Sequence, residues 1–197
     1  VTSNHPTGIS ELALFNYLAT IRTDLRIVIN ETLLDIAANA RELVIPLPVF
    51  NRRDPAVQAE IRGRIREALE AGMLLLFFPS GVISNRVPGG GLEDPEWKKG
   101  ALHAARDTGA PILPVRVGAR NSAAFYRLRG LPGVGEALSW TLLFREYMKH
   151  RGGLYPIRVG ALIPPAALRP GEALDGAGLA ALNGMIRGRT DALGAHA

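Results

Sequence analysis

Along most of the chain, short apolar runs alternate with stretches of helical periodicity. Residues 10–21 (SELALFNYLATI) repeat their apolar positions at helical spacing, and residues 25–30 (LRIVIN) follow as a strand. Residues 32–40 read as a short helix. Residues 43–49 (LVIPLPV) read as a strand that Pro46 and Pro48 push to a sheet edge or a bulge, because proline cannot donate to a ladder. Asp54-Pro55 then marks a helix start, an N-cap candidate followed by proline at the first helical position. That helix places Val57, Ile61, Ile65 and Leu69 on one face, and Gly72 stops it. Residues 73–78 (MLLLFF) form the continuous apolar run expected of a central strand buried on both faces.

The second half continues the pattern. A Gly/Pro-rich loop spans residues 79–95, residues 96–108 are helical, and Gly109 caps that helix. Residues 111–117 predict another buried strand, 134–150 a long amphipathic helix, and 154–163 a last strand. A final helical segment, 171–193, is weakened by its glycines. No repeat or low-complexity linker interrupts the order. The expectation is one domain over residues 1–197, of α/β class, with a mostly parallel central sheet flanked by helices.

Composition narrows the chemistry. The chain has 197 residues, no cysteine and a formal net charge of +5. Without cysteine there is no disulfide scaffold, thiolate metal site or cysteine nucleophile. The basic residues are 20 Arg and 3 Lys, so any functional excess of charge is carried by guanidinium groups facing an anionic partner. A nucleic acid is disfavoured, since aromatics make up only 6% and no nucleic-acid motif appears. The longest stretch free of charge, residues 71–85, is broken by Pro79 and Gly81 and is shorter than the roughly 20 apolar residues of a spanning helix. The opening residues, Val1-Thr2-Ser3-Asn4-His5-Pro6, read as a strand end entering a loop, which predicts a core lacking its N-terminal region.

The four histidines, His5, His103, His150 and His196, have no metal-ligand spacing, so no metal site is expected. His5 stands apart because it follows a strand end, precedes Pro6 and Gly8, and lies six residues before Glu11. With a helix beginning near Gly8, Glu11 falls in its first turn and can fold back on the imidazole. That is a Ser-His-Asp arrangement without the serine, the attacking hydroxyl coming from a substrate. On spacing alone, Glu11 reads equally as a helix-start carboxylate and His5 as a loop residue. A second constellation is Phe78-Pro79-Ser80-Gly81-Val82-Ile83-Ser84, directly after the buried strand. Gly81 permits close backbone approach there, and free N–H groups can hold a phosphate or an oxyanion, with Arg86 nearby. An ordinary turn fits too. A third is Phe50-Asn51-Arg52-Arg53, where adjacent arginines either clamp an anion or are solvated.

Taken in order, these blocks resemble the glycerolipid and lysophospholipid acyltransferase superfamily. Asn4 to Glu11 is similar to its His-x4-Asp block, Val44 to Arg53 to its second, Phe78 to Ser84 to its Phe-Pro-Glu-Gly block, and Ala110 to Val115 to its fourth. The bacterial hemolysin-like branch related to ornithine-lipid synthesis fits better. Its acidic residue comes one position later, as at Glu11, and its third block is Phe-Pro-small-Gly ending in serine. Asp94-Pro95-Glu96-Trp97, Gly109-Ala110-Pro111, Arg120-Asn121-Ser122 and Phe125-Tyr126 add to the likeness, which covers most of residues 3–163. The departures are Ser10 at the usual acidic position, Ser80 for glutamate, and Ile83 for an arginine associated with the glycerol-phosphate head group.

The resemblance implies an O-acyltransferase that moves a fatty acyl group from acyl carrier protein or coenzyme A to the hydroxyl of a lyso-lipid. His5 and Glu11 would be catalytic, and Arg52, Arg53, Phe78, Pro79, Ser80, Gly81, Ser84 and Arg86 would line the substrates. No bound cofactor is implied; the acyl thioester is a cosubstrate. A lipid acceptor implies a peripheral protein on the inner face of the cytoplasmic membrane. The helix at 134–148, with Leu138, Trp140, Leu142, Leu143 and Phe144 beside Arg145 and Lys149, suits either an interface or packing on the sheet. The other expectation is a noncatalytic module that binds lipid or acyl carrier protein on the same fold.

Overall fold

A computed structural model describes residues 1–31, 38–48, 54–129 and 136–194, with the backbone alone at 38 and 136–140. Eight strands and six helices are named here in chain order. β1 is Thr2–Ser3, α1 Gly8–Ala19, β2 Leu25–Asn30, β3 Val44–Leu47, α2 Pro55–Glu70 and β4 Leu74–Phe77. β5 (Asn85–Arg86) and β6 (Leu92–Glu93) form a small hairpin, followed by α3 (Gly100–Thr108) and β7 (Pro114–Val117). α4 (Ala123–Arg129), α5 (Glu136–Lys149), β8 (Ile157–Val159) and α6 (Gly176–Ala192) complete the chain.

The main sheet has the order β3-β2-β4-β1-β7-β8, parallel except for β8. The period-2 pattern of the strands sorts their side chains between two helical layers. Leu25, Ile27, Val44, Leu76, Phe78, Val115 and Val117 meet Leu14 and Leu18 of α1 on one face. Val28, Ile45 and Leu75 meet Ile61, Ile65 and Ala68 of α2 on the other. Each fully buried Leu or Val among them contributes about 1.5–3 kcal/mol of hydrophobic stabilisation. A third cluster joins Leu102 and Ala105 of α3 to Ile186 of α6, Trp97 and Ile163.

Local chemistry sets the boundaries. Asp54 caps α2 by accepting from the Ala56 N–H, with Pro55 in the first turn. Gly72 and Gly109 end α2 and α3 at φ 76° and 68°, where a Cβ is strained. β3, the proline-bearing strand, is the sheet edge. Three expectations shift. The first is the 79–95 loop, which contains the β5–β6 hairpin and a 3-10 turn at Pro88–Gly90. The second is the helix expected from residue 96, which begins at Gly100 because Asp94–Trp97 are drawn into side-chain bonds around His5. The third is the last strand, shortened to Ile157–Val159 with an isolated bridge between Ile112 and Ile163. The helix expected at 32–40 lies mostly outside the described residues, which resume in a 3-10 turn at Ala38–Leu43.

β1 is central, and the chain's crossovers part around it. The connection through α1 covers one face on its way to β2, while α2 covers the other. The carboxyl ends of β1 and β4 therefore open at the place where α/β sheets bind ligands. His5 and Phe78 stand there.

Candidate active site

His5 lies in the turn between β1 and α1, and α1 begins at Gly8 as the spacing required. Thr7 is the N-cap: its side chain accepts from the Ser10 N–H at 3.1 Å, and its own N–H donates to Ser10 Oγ at 3.4 Å. This capping box explains why serine occupies position 10. Ser10 is fully buried and serves the helix end, and the next residue, Glu11, carries the carboxylate that reaches the imidazole. His5 Nε2 stands 2.7 Å from Glu11 Oε1, with the two side chains 8% and 12% exposed. A carboxylate at Nε2 favours the tautomer protonated there and leaves Nδ1 as the acceptor nitrogen. Among the described residues neither ring nitrogen has a hydrogen bond of normal geometry, so the 2.7 Å approach of Glu11 to Nε2 is an ion-pair contact and Nδ1 has no partner at all.

The backbone around His5 is fixed from several directions. Asn4 exchanges two hydrogen bonds with the Val117 backbone, donating to its carbonyl at 3.1 Å and accepting from its N–H at 2.8 Å. The Asp94 carboxylate accepts from the His5 N–H at 3.2 Å and from Trp97 Nε1 at 3.0 Å. Ser84 binds the same two residues, its N–H donating to the His5 carbonyl at 2.8 Å and its hydroxyl lying 3.1 Å from that oxygen and 2.5 Å from Asp94 Oδ1. The Phe78 ring lies 5.1 Å from the imidazole, centroid to centroid, at 44°. The 78–84 loop thus leaves from one side of His5 and returns to the other.

Within that loop, Ser80 is buried with its hydroxyl on the Val82 carbonyl at 2.9 Å. Gly81 is at φ 66°, and here the expected free amide is corrected. The Gly81 N–H closes a turn onto the Phe78 carbonyl at 2.9 Å. The amides of Ser80, Val82 and Ile83 carry no hydrogen bond among the described residues and are the loop's available donors. Ser84 is also placed differently from the expectation, being 2% exposed and fully engaged in holding the loop. Pro79 is buried, its carbonyl accepting from the Lys98 N–H at 2.9 Å. Arg86 is exposed on β5, and Arg52 and Arg53 lie outside the described residues.

Three supports were not singled out from the sequence as site residues. Asp94 was visible only as part of the Asp-Pro-Glu-Trp likeness. Arg129 of α4 donates to the carbonyls of Ile83 and Ser84 at 3.3 and 3.4 Å, and burial lowers its pKa. Tyr147 of α5 is half-buried; burial and the nearby Glu11 charge push its phenol up. Gly8 lets α5 approach α1, since a Cβ there would stand 3.1 Å from Leu143.

An acyltransferase family model matches residues 1–118 of the chain. The chain belongs to the acyltransferase family. That stretch of the acyltransferase fold holds every main-sheet strand but β8, together with His5, Glu11, the 78–84 loop and Asp94. Two curated relatives, the lyso-glycine lipid O-acyltransferases of Phocaeicola vulgatus and Bacteroides thetaiotaomicron, are each 25% identical over 167 residues, or 82% of this chain. The chain spans 58% and 59% of their lengths. No solved structure matches. No described helix of this acyltransferase is long and apolar enough to cross a membrane.

Proposed function

We propose that this chain transfers a fatty acyl group from a thioester, acyl carrier protein or coenzyme A, to the hydroxyl of a lyso-lipid. The observation that carries the reading is the His5–Glu11 contact of 2.7 Å at the carboxyl end of the central strand, in a chain of this family. The acceptor hydroxyl gives its proton to His5 Nδ1 as its oxygen attacks the thioester carbonyl. Glu11 stabilises the imidazolium formed. The tetrahedral oxyanion draws on the free amides of Val82 and Ile83. Collapse expels the thiolate, which takes the proton back from His5, so the products are the acylated lipid and a free thiol. No acyl-enzyme forms. Because His5 is only 6% exposed, binding of the acceptor must open a path to the ring.

An acceptor held in a bilayer calls for a peripheral enzyme on the inner face of the cytoplasmic membrane. Supporting this, Phe144 and Met148 are 63% and 52% exposed one turn apart on α5, beside exposed Arg145 and Lys149. The lyso-glycine lipid named for the relatives makes an amino-acid lyso-lipid the first acceptor to try. The test is transfer of labelled acyl groups from acyl carrier protein and from coenzyme A to lyso-lipids with amino-acid and glycerophosphate head groups. Turnover of at least one pair is expected. A chain that binds these lipids and transfers nothing would instead be the noncatalytic lipid-binding module.

A further inference from the structure

A trans peptide is planar, so its carbonyl and its N–H point in opposite directions, and fixing one end aims the other. Two peptides of the 78–84 loop are fixed in this way. In the Ile83–Ser84 peptide the N–H donates to the His5 carbonyl at 2.8 Å, and the carbonyl on the far side accepts from Arg129 Nη1 at 3.3 Å. The same nitrogen lies 3.4 Å from the next carbonyl, that of Ser84. In the peptide before, the Val82 carbonyl accepts from the buried Ser80 hydroxyl at 2.9 Å, which turns the free Ile83 N–H the other way. The carbonyls of residues 82 to 84 are all held by side-chain donors. Of the two N–H groups opposite the first pair, one binds His5 and one stays free.

Arg129 reaches the loop from outside residues 1–118, the stretch that the family model matches. It ends α4, whose start is held by Ser122: the Ser122 hydroxyl accepts from the Phe125 N–H at 3.2 Å, and Ser122 itself is bound to Glu146 of α5. On the same helix the Tyr126 hydroxyl donates to the Pro6 carbonyl at 3.5 Å, next to His5. One helix therefore touches both the His5 turn and the carbonyls of Ile83 and Ser84. The guanidinium is half-buried, burial lowers its pKa, and its acceptors among the described residues are these two carbonyls. A charged donor at the carbonyl end of a peptide polarises it and makes the N–H at the other end a stronger donor.

We propose that Arg129, with Ser80, is a positioning residue for acyl transfer: the two hold the carbonyl side of residues 82–84, so that the Ile83 N–H is aimed at the oxyanion and the Ser84 N–H secures the His5 backbone. The proposal rests on the acyl-transfer reading and adds to it how the oxyanion donors are set before charge develops. Neither side chain touches the reacting atoms. Donors that need no reorganisation lower the barrier itself, so loss of their support shows in kcat and leaves substrate binding alone. Ser80, which stands where the family pattern has glutamate, gains a use here by turning its hydroxyl onto its own loop.

Arg129→Met keeps the side-chain stem and removes the donors. In this variant the Ser84 amide should exchange with solvent about tenfold faster, read by NMR, while the amides of β2 and β4 keep their wild-type rates. For acyl transfer from a labelled thioester to a lyso-lipid, kcat should fall about tenfold with KM changed less than about twofold. Arg129→Lys, whose ammonium can serve both carbonyls, should recover most of both effects. Ser80→Ala is the second variant and decides the matter if Arg129→Met loosens the whole sheet: it removes the donor from the Val82 carbonyl and should lower kcat about threefold without raising KM. Wild-type Ser84 exchange in Arg129→Met, wild-type kcat in Ser80→Ala, or a loss in either variant that falls on KM and spares kcat overturns the proposal. Exchange is read without turnover, so a chain that transfers nothing while its Ser84 amide responds counts against the acyl-transfer reading alone.

Discussion

Two histidine–glutamate pairs occur among the described residues, and they have opposite fates. His5 and Glu11 meet at 2.7 Å; His150 and Glu146 meet at 3.3 Å, one turn apart on α5. Glu146 is already occupied. It accepts from the Ser122 N–H and the Ser122 hydroxyl, each at 2.6 Å, and that hydroxyl accepts from the Phe125 N–H at the start of α4. The Ser122–Glu146–His150 group contains the residue types of a hydrolase triad, but its carboxylate sits in the middle and joins two helices. Glu11 has no second donor among the described residues, and its histidine lies between the free-amide loop and the end of the central strand. A catalytic pair therefore depends on what its atoms are left free to do, and residue type alone does not identify one.

Among the residues that only position the pair, the largest break comes at Asp94. Replacing Asp94 with Ala leaves the His5 N–H, Trp97 Nε1 and the Ser84 hydroxyl without their common acceptor, and loosens both sides of the loop. A fall in kcat of about 10²-fold is expected, as for a misplacement of roughly 1 Å at a reacting group. The fold should survive, as read by circular dichroism. Activity within threefold of wild type would show that Asp94 does not position His5.

Glu146→Gln probes the other pair and should act on stability. Burial pushes the Glu146 carboxyl up, but the two bonds from Ser122 and the contact with His150 outweigh it, leaving its pKa lowered. A lowered acid contributes stability above its unfolded pKa and loses it as pH falls through the folded value. At neutral pH the variant should be less stable by about 1–3 kcal/mol, the usual loss at a charged buried acceptor. The gap should close on acidification below the ordinary carboxylate range, with kcat changed less than twofold. Urea midpoints across pH measure this, and a gap that widens in acid would be the wrong sign.

The outer face of α5 should give the smallest effect. Phe144→Ser with Met148→Ser is expected to weaken binding to anionic vesicles about three- to tenfold in flotation, with urea stability unchanged, because both side chains are exposed. Equal flotation would place membrane docking elsewhere.

How far the sequence carried this account differs between fold and site. The strands at 25–30 and 73–78, the proline-bearing edge strand and the glycine helix ends were legible because period, proline and positive φ are local properties. The dyad was legible for the same reason, with His5 and Glu11 six residues apart around a helix start. Asp94 and Arg129 were not, since their partners lie 89 and 46 residues away and no periodicity relates them. The role of Ser10 was hidden too. Its place in the family pattern marked it only as a departure, while the capping box that uses it shows in the geometry. The small β5–β6 hairpin was read as loop because each strand has only two residues.

The central claim is that His5 acts as the base and Glu11 orients it, and one comparison of turnover tests it. His5→Ala, Glu11→Gln and His150→Ala are assayed beside the wild type for acyl transfer from a labelled thioester to a lyso-lipid hydroxyl. General-base catalysis predicts losses of about 10²–10⁴-fold for His5→Ala, a smaller but clear loss for Glu11→Gln, and activity within about twofold of wild type for His150→Ala. Substantial turnover by folded His5→Ala, or a loss confined to His150→Ala, would contradict it.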